Sequence, residues 1–183
     1  MEAGRGIRIL HQDKFECICS FIISQNNNIP RIKKIINTIC QRYGEKFHVC
    51  GSDHWAFPTS QALFEAGEEG LFECKTGFRA KYLYDASRLA NEGFVDTLDS
   101  LNDDALLQAL MTVKGIGPKV SSCITLFGFC RLSSFPIDVW VKRVMQKYYS
   151  ETTPPEVFGK YAGLAQQYLF YYERYIASGN NQS

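Results

Sequence analysis

The sequence predicts an all-α protein, and three observations support that prediction. Apolar residues recur three and four positions apart through most of the chain, as in 15–23 and 32–43, which is the spacing of one helix face. Proline stands where a first helical turn is expected, at Pro30 and Pro118. The 183 residues contain no repeat and no low-complexity tract, so we expect one compact unit, or two small helical lobes that share a cleft.

In chain order, the first helix is expected at 15–23, before the polar run 24–28, and the second extends from Pro30 to Gly44. The stretch 46–58 should be a loop or a short extended segment. Its anchors are expected to be Trp55 and Phe57. The remaining helices are expected at 61–66, 69–74, 79–91 (ended by Gly93), 102–111 (capped by Asn102), 118–127, 139–149 (capped by Asp138) and 158–176. The tail 178–183 is expected to be frayed.

Charge and hydropathy exclude some classes of protein. The chain has 20 basic and 19 acidic residues and a net charge of +1, so a DNA-binding surface would have to come from local clusters and backbone amides. Its 45% hydrophobic and 21% charged content is typical of a globular domain. No apolar run approaches the ~20 residues that cross a bilayer, and no signal-peptide pattern opens the chain. We therefore expect an intracellular protein (cytoplasm, nucleoid or nucleus) that does not bind membranes.

Seven cysteines raise the question of a metal site. They are Cys17, Cys19, Cys40, Cys50, Cys74, Cys123 and Cys130. No two have the C-x-x-C spacing, and the three histidines form no H-E-x-x-H or H-x-E pattern, so neither a metal nor a cofactor is expected. Because an odd number of cysteines also argues against a disulfide framework, we predict buried, reduced thiols.

Two glycines one residue apart, Gly115 and Gly117, separate a capped helix from the helix that begins at Pro118. Glycine permits a crowded backbone and leaves amides facing outward, and the amides of the next helix N-terminus add partial positive charge. Such a turn can cradle a phosphate without basic side chains. The alternative is an ordinary helical turn with glycine at the cap, and spacing alone does not separate the two.

The residues around this turn resemble a known family. Segment 110–120 (LMTVKGIGPKV) resembles the helix-hairpin-helix of the base-excision DNA glycosylases, and 135–138 (FPID) resembles their Pro-x-Asp segment. A lysine two positions after the second glycine, followed by such an aspartate, is typical of the bifunctional branch. Within that superfamily the chain is most similar to the 8-oxoguanine DNA glycosylases, over about 7–172. Three further segments carry that likeness: 26–31 (NNNIPR), 77–82 (GFRAKY) and 163–170 (GLAQQYLF).

The resemblance implies the helix-hairpin-helix glycosylase fold, with two helical lobes flanking a cleft. Residues 1–183 would form one catalytic unit, with the helix-hairpin-helix at about 103–130 and a C-terminal helix at about 158–176 closing the cleft. The family's N-terminal β-rich domain and the iron–sulfur loop of the endonuclease III relatives are expected to be missing. The implied partner is double-stranded DNA containing a damaged base, bound by a monomer.

The same resemblance assigns the chemistry to Lys119 and Asp138. Lys119 would attack the anomeric carbon, expel the base and form a Schiff base, which permits strand cleavage by β-elimination. Partial burial and the helix N-terminus are expected to keep part of this amine neutral. Asp138 would stabilise the positive charge that develops on the sugar. Without Asp138, Lys119 would be interpreted as a solvated surface lysine; the alternative for Asp138 is a plain N-cap worth about 1 kcal/mol.

The resemblance assigns four residues to the DNA duplex, at the position that the flipped base leaves. Asn26 would fill the vacated position, and Arg31 and Arg79 would donate hydrogen bonds to the widowed cytosine. Phe78, which stands where tyrosine is usual in the family, would wedge between base steps. The alternatives are a capping asparagine, two solvated arginines and a core phenylalanine.

A pocket for the flipped base is implied further along the chain. Gln166 and Phe170 lie four positions apart, so they share a helix face. By resemblance, Gln166 would bind the Watson–Crick edge of the base and Phe170 would stack on it, with Cys123 on the other side. Trp140 would line the same cleft, where relatives often carry histidine. Core packing is the alternative for Phe170 and Cys123.

These assignments predict a bifunctional DNA glycosylase and AP lyase that removes 8-oxoguanine opposite cytosine. Two alternatives remain open. One is a related glycosylase for another oxidised base, and the other is a non-catalytic helix-hairpin-helix module that binds DNA. The second leaves the spacing of Lys119 and Asp138 unexplained.

Overall fold

The computed structural model describes residues 4–149 and 155–177, which form an almost entirely helical protein, as predicted. The helices are α1 (Lys14–Ser24), α2 (Ile29–Tyr43), α3 (Ser60–Leu71), α4 (Ala80–Asn91), α5 (Phe94–Thr97), α6 (Asp103–Met111), α7 (Pro118–Phe127), α8 (Val139–Tyr148) and α9 (Ala162–Tyr171). Strands β1 (Lys46–Val49) and β2 (Ser52–Trp55) form an antiparallel hairpin. Shorter 3₁₀ or π segments are Phe72–Thr76, Gly77–Arg79, Leu98–Ser100, Pro155–Tyr161 and Tyr172–Ala177. No helix in the described part is long and apolar enough to cross a membrane.

The segment 46–58, predicted as a loop or extended excursion, is the β1–β2 hairpin, in which Lys46 pairs with Trp55. Both expected anchors contact the protein. Phe57 packs against the core and meets Phe15 edge to face, with ring centroids 6.2 Å apart. Trp55 is half-buried at the end of β2. A strand pair this short depends on such contacts, because an isolated hairpin is marginally stable.

The C-terminal helix begins later than the sequence predicts. Instead of one helix over 158–176, the chain makes a 3₁₀ segment with a break at Gly159, where φ is 58° and ψ is −149°. Helix α9 begins only at Ala162, and a π segment, Tyr172–Ala177, continues it. The apolar periodicity spans the break and therefore concealed it. The predicted fraying of 178–183 concerns residues outside those described.

Several helices start at a polar side chain that accepts a hydrogen bond from a first-turn amide. These N-caps are Asp13 for α1, Asn28 for α2, Thr59 for α3, Asn102 for α6 and Asp138 for α8. Each such cap stabilises a helix by about 1 kcal/mol. The last two confirm the predicted caps of their helices, and the cap of α2 is Asn28 rather than Asn26.

Two apolar clusters form the lobes of the fold. The larger joins α1–α4, α6 and α7 and contains these fully buried side chains: Ile22, Ile23, Ile35, Ile39, Leu63, Leu83, Leu106, Leu110 and Ile124. The smaller surrounds Phe135, Val141 and Ala162, with Met145, Phe158, Leu169 and Phe170 packed against them. Burial of one such side chain contributes about 1.5–3 kcal/mol to the free energy of folding. The larger cluster therefore contributes most of the stability, and the smaller cluster depends on contact with the larger one.

A close contact between α9 and the end of α7 lies at Gly163, in the first turn of α9. Its amide donates a hydrogen bond to the Leu132 carbonyl at 2.7 Å. A Cβ at this position would lie 2.4 Å from Leu126 Cδ1 and 2.5 Å from the Ser134 carbonyl oxygen. Because two of these neighbours are backbone atoms, a side chain cannot be accommodated by a rotamer change alone. The absence of a side chain therefore lets α9 lie against the end of α7.

We predict that Gly163→Ala lowers the free energy of unfolding by about 1–3 kcal/mol, the range for inserting a methyl group into a packed core. Chemical denaturation with a matched melting curve measures the effect. Gly117→Ala is the control, because a Cβ there meets no atom within 4 Å and should leave stability unchanged. An equal loss in both variants would show that the close contact is not the cause.

Candidate active site

Two neighbouring cavities lie where α1 and α7 meet α8 and α9, and they share Lys119 and Asp138 as walls. The first, about 200 Å³, is lined by Phe21, Lys119, Cys123, Phe127, Pro136, Asp138, Gln166, Gln167 and Phe170. The second, about 400 Å³, is lined by Ser24, Gln25, Asn26, Lys119, Val120, Ile137, Asp138, Val139 and Lys142. The structure therefore brings five predicted site residues to the first cavity and adds Asn26 at the second.

The turn before α7 uses its two glycines differently. Gly115 has φ of 86°, and a Cβ there would lie 2.6 Å from Tyr82 Cδ2, so the fold itself requires glycine. Gly117 has an extended backbone with φ of −98°, and a Cβ there would meet nothing. The fold therefore does not require glycine at position 117. Its exposed backbone precedes the α7 N-terminus, where an anion is favoured.

Lys119 occupies the first turn of α7, at the boundary of the two cavities. Its ammonium lies 5.9 Å from the centroid of the Phe21 ring, and Cys123, which lines the first cavity with it, lies one turn further along the helix. The residue is exposed, so the expected partial burial is wrong for the protein without DNA. The reason is that both cavities open to solvent at this point, which leaves the amine accessible to a ligand.

Asp138 precedes α8, and a single oxygen of its carboxylate makes both cap bonds. Oδ1 accepts from the amides of Trp140 at 3.0 Å and Val141 at 2.8 Å. No hydrogen bond of Oδ2 is found among the described residues. The cap thus fixes the carboxylate as a wall of both cavities while one oxygen remains available there.

Cys123, Gln166 and Phe170 form the inner part of the first cavity. Burial raises the pKa of the Cys123 thiol, Lys119 acts to lower it, and Asp138 raises it. Gln166 is only 4% exposed and accepts a hydrogen bond from the Gln167 amide. Phe170 lies one turn away on the same face of α9, as the spacing predicted. An aromatic face, a buried amide and a neutral thiol thus surround one small space.

The loop after α1 is held by a buried arginine. Arg79 is 2% exposed, and its guanidinium donates to the carbonyls of Gln25 (3.1 Å from Nε), Thr76 (3.2 Å) and Asn26 (3.1 Å). Asn26 itself is exposed, in a left-handed conformation with φ of 45°. Since all three guanidinium nitrogens are already engaged, the predicted contact of Arg79 with a cytosine requires correction. In this arrangement Arg79 positions the Asn26 backbone.

The other two residues assigned to this side of the site are accessible. Arg31 is exposed in the first turn of α2. Burial of the Arg79 guanidinium is the larger cause that lowers the pKa of Arg79, and the positive charge of Arg31 is the smaller one. Phe78 is 54% exposed and packs edge to face on Tyr82, with ring centroids 6.1 Å apart. An exposed aromatic ring braced in this way is not a core residue, so the core alternative for Phe78 is wrong.

The predicted cleft residue Trp140 does not line either cavity. It is half-buried, and the Arg143 guanidinium lies 4.8 Å from the centroid of its ring.

Two residues of the site were not predicted from the sequence. One is Phe21, whose ring stacks on Phe127 with centroids 5.8 Å apart and closes one side of the first cavity. The other is Gln25, whose buried amide nitrogen has no hydrogen-bond partner in the described part of the chain. Phe21 lies off the apolar stripe of α1, which was a signal for a second role.

Sequence comparison identifies the family. The profile of the HhH-GPD superfamily base excision DNA repair proteins matches residues 19–161, a span that contains the glycine turn, Lys119 and Asp138. The chain belongs to this superfamily.

Three relatives show how far the similarity extends. A probable N-glycosylase/DNA lyase of Methanothermobacter thermautotrophicus is 29% identical over 95% of this chain and 65% of its own. An N-glycosylase/DNA lyase of Saccharomyces cerevisiae is 38% identical over 79% of this chain and 42% of its own. The crystal structure of Clostridium acetobutylicum 8-oxoguanine glycosylase/lyase, in complex with double-stranded DNA containing cytosine opposite 8-oxoguanine, superposes with a TM-score of 0.87. It is 44% identical over 94% of this chain and 63% of its own. The chain thus spans less than two thirds of each relative.

We predict that Gly117→Ala folds normally and binds duplex DNA less tightly, because its methyl group would occupy the space in front of the α7 amides. Gly115→Ala should instead lower stability, since it combines a left-handed backbone with a contact to Tyr82. Melting temperature and fluorescence anisotropy, measured on both variants, separate the two effects. Unchanged DNA affinity in Gly117→Ala would exclude this turn as a phosphate site.

Proposed function

We propose that this chain is the catalytic unit of a bifunctional DNA glycosylase and AP lyase that excises 8-oxoguanine opposite cytosine. The main observation behind the proposal is that Lys119 and Asp138 line the same two adjoining cavities. Lys119 also lies directly after the glycine turn. The N-glycosylase/DNA lyase names of the relatives and the Clostridium complex support it. Such an enzyme works where DNA is, so we expect it inside the cell.

Base flipping is the first step, because the glycosidic bond is hidden in the stacked duplex. The cavity of about 200 Å³ would receive the flipped base. Phe170 would stack on one face of the base and the Cys123 side would cover the other. The buried amide of Gln166 offers both a donor and an acceptor to the edge of the base.

The chemical step follows from the two shared residues. The amine of Lys119 in its neutral form attacks the anomeric carbon, the C–N bond to the base breaks, and the bonding electron pair leaves with the base, which takes up a proton. The amine loses its proton as the sugar opens to a Schiff base. The negative charge of Asp138 stabilises the positive charge on the sugar during this step. Loss of a proton from the adjacent sugar carbon then expels the 3′ phosphate, and water releases Lys119.

The opposite strand would be held by the loop and turn at the edge of the cleft. Asn26 would occupy the position that the base leaves, and Arg31 would donate hydrogen bonds to the acceptor edge of cytosine. Arg79 acts indirectly, because it fixes the Asn26 carbonyl. Phe78 would enter between base steps. Fixing these groups before DNA arrives reduces the entropy lost on binding.

We predict that Lys119→Gln abolishes the borohydride-trapped complex with a duplex containing 8-oxoguanine, because glutamine cannot form a Schiff base. Lys142→Gln is the matched control, since Lys142 lines the neighbouring cavity and should not be the nucleophile. A trapped complex that persists in Lys119→Gln and disappears in Lys142→Gln would reverse the assignment.

The same trapping assay with each of the four bases placed opposite 8-oxoguanine tests the substrate: cytosine should be preferred by roughly tenfold or more. Equal trapping opposite adenine would contradict the role of Arg31.

We predict that Asp138→Asn keeps the α8 cap and the melting temperature but slows base release by about 10²–10³-fold, the usual cost of losing one electrostatic group at a reacting centre. Asparagine can still accept from the amides of Trp140 and Val141, but it offers no negative charge. Single-turnover kinetics at saturating enzyme measure the effect. A rate equal to that of the parent would leave Asp138 with a structural role only.

A further inference from the structure

A third cavity, about 240 Å³, lies apart from Lys119 and Asp138, between α2 and the π segment Phe72–Thr76. It is lined by Arg31, Lys34, Ile35, Thr38, Cys74 and Lys75. Three of these six residues are basic and none is acidic. Arg31 and Lys34 lie one turn apart on α2 and share a face, and Lys75 approaches from the other side.

No acidic side chain of the described residues neutralises these three cations. Some basic side chains elsewhere in that part of the chain do pair with acids: Arg42 with Glu73, Lys46 with Asp53, Arg88 with Asp85 and Glu92, and Arg131 with Asp103. Within that same part of the chain, none of Arg31, Lys34 and Lys75 forms an ion pair. The neighbouring carboxylate, Glu73, is held by Arg42.

The cavity wall supplies no compensating negative charge. The hydroxyl of Thr38 donates to the Lys34 carbonyl at 2.8 Å. Burial raises the pKa of the Cys74 thiol, against the lowering effect of Arg42, so its sulfur stays protonated at neutral pH. A concave site with three unpaired cations and a neutral floor favours an anionic ligand.

The backbone at Lys75 is unusual. Its φ of 65° and ψ of 24° lie in the left-handed region, which costs free energy for a residue with a side chain. The buried neighbours Cys74 and Thr76 hold this conformation, and the Thr76 hydroxyl donates to the Leu71 carbonyl at 2.8 Å. The strained backbone at Lys75 places a third positive charge at the cavity, which favours a role for Lys75 in binding an anion.

The location of the cavity favours a DNA phosphate as the anion. Arg31 is the residue proposed to donate to the cytosine, and Lys75 stands three positions before Phe78, the proposed wedge. We infer that Lys34 and Lys75 hold a backbone phosphate of the strand opposite the lesion, next to the cytosine that Arg31 contacts. This inference rests on the proposed function. Lysine suits this role because a phosphate is satisfied by point charges without a fixed geometry.

The first test measures how binding depends on salt. The double variant Lys34→Gln/Lys75→Gln, and each single variant, should bind a duplex with a stable abasic-site analogue opposite cytosine more weakly than the parent. The slope of log affinity against log salt should become shallower by about 0.9 if one phosphate is lost. Lys33→Gln is the matched control, because Lys33 is exposed on the same helix but does not line the cavity. Melting curves show that each variant folds.

The second test identifies the strand. A neutral methylphosphonate replaces single phosphates near the site, in either strand of the same duplex. The parent should lose affinity at one position in the strand opposite the lesion, and the double variant should be insensitive at that position. Equal sensitivity in parent and double variant, loss only in the lesion strand, or an equal effect of Lys33→Gln would overturn the inference.

The outcome is separable from that of the proposed function. Trapping of the parent at saturating DNA reports on Lys119 and not on Lys34 or Lys75. A parent that shows the phosphate dependence but forms no trapped complex would refute the proposed chemistry and retain this site. A parent that traps normally but shows no such dependence would refute this site alone.

Discussion

The candidate active-site cavity depends on the close approach of the first turn of α9 to the end of α7, where a Cβ at Gly163 would lie too close to Leu126 and the Ser134 carbonyl. This contact brings α9, which carries Gln166 and Phe170, opposite the first turns of α7, which carry Lys119 and Cys123. The smaller apolar cluster then fixes α8, and with it Asp138. The proposed base pocket and its two shared residues thus lie between two lobes that have separate cores.

The charges around the cleft differ from what the net charge suggests. The net charge is +1, yet within the described residues Lys119, Lys142 and the three cations of the third cavity form no ion pair. Position 117 adds exposed amides at the α7 N-terminus without any side chain. Local arrangement rather than total charge therefore sets the electrostatics, which bulk composition cannot reveal.

The features that could be predicted from the sequence are those that depend on residues a few positions apart in the chain. The caps at Asn102 and Asp138 and the shared face of Gln166 and Phe170 all follow from spacings of two to four residues. Arg79 could not be predicted, because the carbonyls of its loop partners lie 53 and 54 positions away. The exposure of Lys119 and the location of Trp140 outside the cavities also depend on tertiary packing. The late start of α9 follows from the backbone at Gly159, which apolar periodicity does not detect.

Cys123 has a consequence for the conditions under which the protein must work. Oxidants attack a thiolate far faster than a thiol, and burial favours the protonated form of this side chain. A repair enzyme for an oxidised base is needed most when peroxide is abundant, and a reactive sulfur in its pocket would then be lost. By keeping this thiol buried and protonated, the pocket would resist the same oxidation that produces 8-oxoguanine, the proposed substrate.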